Sequence, residues 1–338
     1  MKNNALNKEK NRKILCSRKG KNLSKLTQED EKVIKYLSKY KIMLVEDTKI
    51  IYKSEWYHRK RIKRLIEDGY VKKYKFYYIE LDRNGRRFVG KVGKDYIKNK
   101  NNVSYMERLK ELSHLATMTI DSNVEINPSW EMKDNNIFTD TARKYLAEMI
   151  VNNQKYLIYY ISEKKEKRYI HQLFYDINKV FNYDSIIIFI DDFKNIMDEQ
   201  DYMYFNKEHT YLIKNSSFNR KLLTKFNEID FYEIINKEYE EKKELLISDW
   251  KLADYYLDED YYIINMIFID MQRLNEINWF YRENENTNKH IDIFTLEGNK
   301  EFIEKAIHKD KRCRIITLEN NKLLEGENNG HTQQVKEI

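Results

Sequence analysis

Proline, glycine and cysteine are all scarce in this chain. Pro128 is its one proline in 338 residues, beside eight glycines. Flexible Gly/Pro linkers are thereby excluded and long regular elements favoured. Cys16 and Cys313 are its two cysteines, with no CxxC pair. That excludes a disulfide-stapled scaffold and a cysteine-built zinc site, and it fits a reducing compartment. No stretch approaches the 18 apolar residues that a membrane span needs. The longest apolar run near the start, Ile14-Leu15-Cys16, is too short for a secretory signal. The expectation is a cytoplasmic protein with no membrane partner. GxxxxGK[ST] is missing, and the seven histidines form neither HxH nor HExxH. No nucleotide-driven motor, metal or cofactor is therefore expected.

What is present argues for a folded protein. Hydrophobic residues make up 41% and aromatics 14%, above the range of disordered chains, and the length suits two domains. An excess of Lys, Asn, Ile and Tyr looks like the codon bias of an AT-rich genome, so the 27 tyrosines do not by themselves mark a site. Charge is the informative property. Residues 1–100 hold 30 Lys+Arg against 12 Asp+Glu, a balance of +18, while residues 101–338 hold 32 against 43, a balance of −11. A basic block of this size points to a polyanionic partner.

Within that block the pattern reads helix, helix, basic helix, hairpin. Residues 1–26 form a basic arm, expected to be disordered or to track phosphates. A helix opens at Thr27, whose spacing to Asp30 resembles a capping box, with Val33, Ile34 and Leu37 on one face. A short helix is expected over 45–51. A third follows Ser54 as N-cap and stops at Asp68-Gly69. VKKYKFYYIEL (71–81) reads as a strand, Asp82-Arg83-Asn84-Gly85 as a turn and RRFVGKV (86–92) as the returning strand, because Asn-Gly is a strong hairpin signal. The reading is a winged helix-turn-helix domain over 27–100.

The third helix has two stripes. Ile62, Leu65 and Ile66 face the core, while Tyr57, Lys60, Arg61 and Arg64 recur at i, i+3, i+4, i+7, as a groove-facing surface requires. Trp56, Tyr57 and Arg61 are the candidates for base contact, and Lys60, Lys63 and Arg64 for phosphates. Lys72, Lys73, Lys75, Arg83, Arg86 and Arg87 would make a basic wing. Double-stranded DNA is the expected partner. RNA is disfavoured, because no RNP-type aromatic motif is present.

The remainder, 105–318, reads as an acidic α/β domain, with a polar tail over 319–338. A helix around 105–117 precedes strands at 155–161, 185–191, 210–214, 261–270, 290–296 and 312–318. Helices are expected near 166–181 and 299–308. Two strand–helix–strand units imply a mixed, largely parallel sheet. IDIFTLE (291–297) resembles RIITLEN (314–320), too briefly to mark a repeat. Asp134 or Asp140 with Glu163-Lys164-Lys165 has the residue types of a Mg²⁺-dependent nuclease. The Glu-Lys-Lys, however, lies past its strand, in a charged helix entrance. Asp191-Asp192 reads as a strand-ending turn rather than a metal site, and His114 as a packed histidine rather than a catalyst.

YYIELDRNG (77–85) and LSHLATMTI (112–120), with His114, resemble the wing and histidine signatures of the plasmid replication–relaxation proteins of Gram-positive bacteria. The resemblance covers about residues 27–190. It implies a C-terminal domain of degenerate restriction-endonuclease-like fold, and a role in replication initiation, relaxation or mobilisation of plasmid or mobile-element DNA. The acidic domain would then serve as a homodimer interface or a dock for replication or conjugation proteins. Competing readings are a transcriptional regulator with a C-terminal sensing or dimerisation domain, and a site-specific nuclease.

Overall fold

The computed structural model describes residues 25–75, 77–90, 102–134, 144–199, 204–239, 245–258, 261–308, 310–320 and 323. The basic arm up to residue 24, the connection 91–101, Asp140 and most of the tail lie outside the described residues. The protein is mixed α/β and divides into two compact units, Met1–Ile120 and Asp121–Ile338.

In the first unit, α1 (Gln28–Tyr40) begins with the expected capping box. Asp30 Oδ2 accepts from the Thr27 amide at 2.8 Å, and Thr27 Oγ1 from the Asp30 amide at 3.3 Å. β1 (Ile42–Leu44), α2 (Thr48–Tyr52) and α3 (Tyr57–Glu67) follow. Val33, Ile34 and Leu37 of α1 are buried with Ile51, Ile62 and Leu65. Gly69, at φ 69°, ends α3 in the left-handed region that a side chain resists.

The hairpin differs from expectation. β2 (Val71–Tyr74) and β3 (Tyr78–Leu81) pair antiparallel within the stretch that reads as one strand, and β1 completes a sheet of order β1-β3-β2. Residues Arg83–Phe88, expected as turn and return strand, form helix α4. The Asn-Gly pair serves packing instead. A Cβ on Gly85 would stand 2.1 Å from the Tyr70 carbonyl oxygen, and Asn84 Nδ2 donates to the Asp68 carbonyl at 2.7 Å. α5 (Val103–Met118) closes the unit: the Tyr36 hydroxyl donates to the Ser113 carbonyl at 2.8 Å, and the Ser113 hydroxyl to the Ile42 carbonyl at 2.9 Å.

The second unit holds two mixed sheets rather than one largely parallel sheet. The first contains β4 (Glu125–Pro128), β5 (Ala147–Val151), β6 (Gln154–Ile161), β7 (Ser185–Ile190) and β8 (His209–Lys214) in sequential order. Its pairings run antiparallel, antiparallel, parallel, parallel. α6 (Ser129–Asp134) follows β4, α7 (Lys167–Asn178) and α8 (Lys194–Met197) flank β7, and α9 (Ser217–Lys225) and α10 (Phe231–Glu238) lead onward. The second sheet contains β9 (Leu246–Ile247), β10 (Tyr255–Asp258), β11 (Tyr261–Asn265), β13 (His290–Leu296) and β14 (Cys313–Leu318), with the same succession of pairings. The stretch 261–270 is two strands, since β12 (Ile269–Asp270) leaves to pair with β8 at the edge of the first sheet. α11 (Met271–Glu283) then precedes β13, and α12 (Lys300–Ala306) precedes β14.

The second half therefore repeats the first. Tyr156 pairs with Ser185, and Tyr261 with His290, at the same separation along the chain. The buried residues Ile170, Leu173 and Ile177 of α7 have the spacing of Leu274, Ile277 and Tyr281 in α11. One core, including Ile188 and Ile293, runs through both halves.

Candidate nucleic-acid interface

α3 presents its charge on the side away from the core. The Ser54 hydroxyl accepts from the Tyr57 amide at 3.1 Å and so ties down the helix entrance. Trp56 is 80% and Tyr57 47% exposed, and Lys60, Lys63 and Arg64 are exposed behind them. Arg59 is held at 2.8 Å by Glu46, which also lies 4.0 Å from Lys49.

Arg61 does not join this surface. It is only 7% exposed, and its guanidinium grips the carboxylate of Asp30, which also accepts from the Tyr52 hydroxyl at 2.6 Å. Burial alone would raise the Asp30 pKa. The hydrogen bonds from Arg61, Tyr52 and the Thr27 amide outweigh it and hold the carboxyl below its ordinary range. The i+4 position of the expected stripe thus turns inward, because an acid stands opposite it. Helical spacing cannot register a partner on another element.

The wing residues also divide. Lys73 and Lys75 are exposed on the β2–β3 hairpin, Lys75 in a left-handed turn at φ 52°, whereas Lys72 reaches Glu80 at 3.3 Å. Arg83, Arg86 and Arg87 sit on α4, with Arg83 and Arg87 exposed. Tyr77, 70% exposed beside the hairpin turn, had no sequence signal, since this turn contains neither Gly nor Asn. On α5, His114 Nε2 lies 3.1 Å from the Tyr78 hydroxyl with the two rings stacked. His114 is therefore a packed, hydrogen-bonded histidine.

In the second unit, Asp191 closes β7 as a structural hub. One carboxylate oxygen accepts from the Tyr160 hydroxyl at 2.7 Å and the Glu163 amide at 3.2 Å; the other accepts from Asn215 Nδ2 at 2.7 Å. Asp192 accepts from the Lys194 amide at 3.0 Å. Asp192 thus serves the strand-ending turn expected from sequence, whereas Asp191 ties the end of β7 to Tyr160 and Glu163 on one side and Asn215 on the other. Glu163 and Lys164 are exposed ahead of α7. Among the described residues, no group of three or more His, Cys, Asp or Glu stands together as a metal site would require. No described helix is long and apolar enough to cross a membrane.

Compared with known proteins, the chain matches no family model and no curated sequence.

Proposed function

We propose that the first unit is a winged-helix module that binds double-stranded DNA, and that the protein acts in replication initiation, relaxation or mobilisation of a plasmid or mobile element. The observation that carries the reading is the outer side of α3. Ile62 and Leu65 point into the core, while Tyr57, Lys60, Lys63 and Arg64 remain in solvent. An aromatic at the helix entrance followed by cations is a surface that suits a major groove and its flanking phosphates. The order of three helices and a hairpin supports the winged-helix reading, and Lys73 and Lys75 give the hairpin a charge suited to the backbone. Contact between Tyr78 and His114 brings together the two stretches that resemble the plasmid family. The net acidity of residues 101–338 disfavours duplex DNA across that part of the chain as a whole, so its broad surface serves assembly with itself or with replication or conjugation proteins.

The test is fluorescence anisotropy of the full chain on duplex DNA across a salt series. About six phosphate contacts give a log–log slope of about −5. Lys60→Ala with Lys63→Ala should flatten that slope by about 2 and leave the urea midpoint unchanged. An unaltered slope and affinity would remove α3 from the interface. Footprinting on origin, transfer and promoter fragments then separates replication or mobilisation from transcriptional control.

A further inference from the structure

The repeat in the second unit supplies an internal comparison. Aligning the buried residues of α7 and α11 places Phe174 opposite Asn278, Tyr175 opposite Trp279 and Asn178 opposite Arg282. In the first half this face is filled at Phe174 and Asn178, while Tyr175, 57% exposed, stays in solvent as Trp279 does. Phe174 is 2% exposed and meets Phe205 edge-on, ring centroids 5.2 Å apart. Asn178 is engaged from both sides, donating to the Tyr204 carbonyl at 2.9 Å and accepting from the Asn206 amide at 2.8 Å. In the second half the face stays open. The connection from α8 to β8 runs over 198–208, whereas that from α12 to β14 spans only 307–312. What remains is a groove of about 310 Å³ beside α11, bordered by the Ala306–His308 turn and Tyr204.

The lining has a consistent chemistry. Trp279 and Tyr204 are 63% and 72% exposed, two large aromatic surfaces left in water at one site. Asn275 lines the groove; its Nδ2 is turned away from solvent and has no partner among the described residues, so the other end of the amide is the part that can meet a ligand. Asn278 is used by the fold, donating to the Ala306 carbonyl at 2.7 Å. Arg282 and His308 stand exposed at the rim. No carboxylate lines the groove among the described residues, so the site suits an anion. An aromatic for stacking, an amide for a base edge and a guanidinium for phosphate are the three groups that recognise a nucleotide. The volume lies within the ~300–1,000 Å³ typical of small-ligand sites.

We propose that this groove is a nucleotide site: one unpaired base stacks on Trp279, its edge meets the Asn275 amide, and Arg282 receives its phosphate. This site is independent of the duplex-binding surface of the first unit. The nucleotide has two possible sources, a free mononucleotide or an unpaired residue of a DNA strand.

Calorimetric titration of the full chain with adenosine monophosphate and with a five-residue oligodeoxyadenylate distinguishes them. Each is repeated on Trp279→Ala, Trp279→Phe and Asn275→Ala. Saturable binding of the mononucleotide, weakened ~10-fold or more by Trp279→Ala and retained by Trp279→Phe, assigns a free nucleotide. The same pattern with the oligonucleotide alone assigns a strand. Trp279 is exposed, so its loss leaves the fold intact, and an unchanged urea midpoint verifies this. Binding of neither probe, or binding that ignores both Trp279→Ala and Asn275→Ala, overturns the proposal.

Discussion

Arg61 and Asp30 form the pair on which the first unit's interior is organised. Asp30 ties α1 to its own N-cap, to Tyr52 on α2 and to Arg61 on α3, so that one carboxylate joins three helices. Removing the cation strands a buried charge, which costs ~3–5 kcal/mol. Arg61→Ala should therefore lower stability by that order in urea at pH 7, where a surface arginine would change almost nothing. The Asp30 carboxyl titrates below its ordinary value, so its contribution is complete above the unfolded carboxylate pKa of about 3.9. It is lost as the pH falls through the lower folded value. The gap between wild type and Arg61→Ala should narrow as the pH drops below about 4. A gap that stays constant down to pH 2 would show that the carboxylate does not carry the effect.

At the scale of elements, some of the molecule was open to reading and some was not. Local signals were sound where the cause was local: the Thr27–Asp30 cap, the Gly69 stop, the apolar run of β7 and the alternation of strands with helices. They failed where a partner lay elsewhere. The β2–β3 turn has no turn residue to announce it. Asn84-Gly85 looks like a hairpin tip, although it owes its glycine to the approach of the Tyr70 carbonyl. Residues 261–270 look like one strand because apolar composition carries no mark for a change of sheet. The candidate surface was legible in its residue types and in the outward set Tyr57, Lys60 and Arg64, but the inward turn of Arg61 was not. The Gly85 reading has a direct test. Alanine tolerates helical geometry better than glycine, so Gly85→Ala would stabilise an unconstrained helix. Against the Tyr70 backbone it should instead overpack, costing ~1–3 kcal/mol in urea or thermal melts. A gain in stability would show that α4 stands clear of the Asp68–Tyr70 turn.

For the whole molecule, the repeat in the second unit raises the question of whether its halves are separate folding bodies. Each has its own sheet with the same succession of pairings, which favours independence. Two features oppose it. β12 crosses from the second half to add a strand at the edge of the first sheet, and a single buried cluster takes residues from both, among them Ile188 on β7 and Ile293 on β13. Neither half can expose that cluster without leaving the other's apolar face in water, so cooperative unfolding is the physical expectation. Ile188→Ala and Ile293→Ala should each cost ~2–5 kcal/mol and should move the same calorimetric transition by similar amounts. Two transitions within this unit, each answering to only one substitution, would mean that the duplicated halves retain separate cores and that the crossing strand merely tethers them.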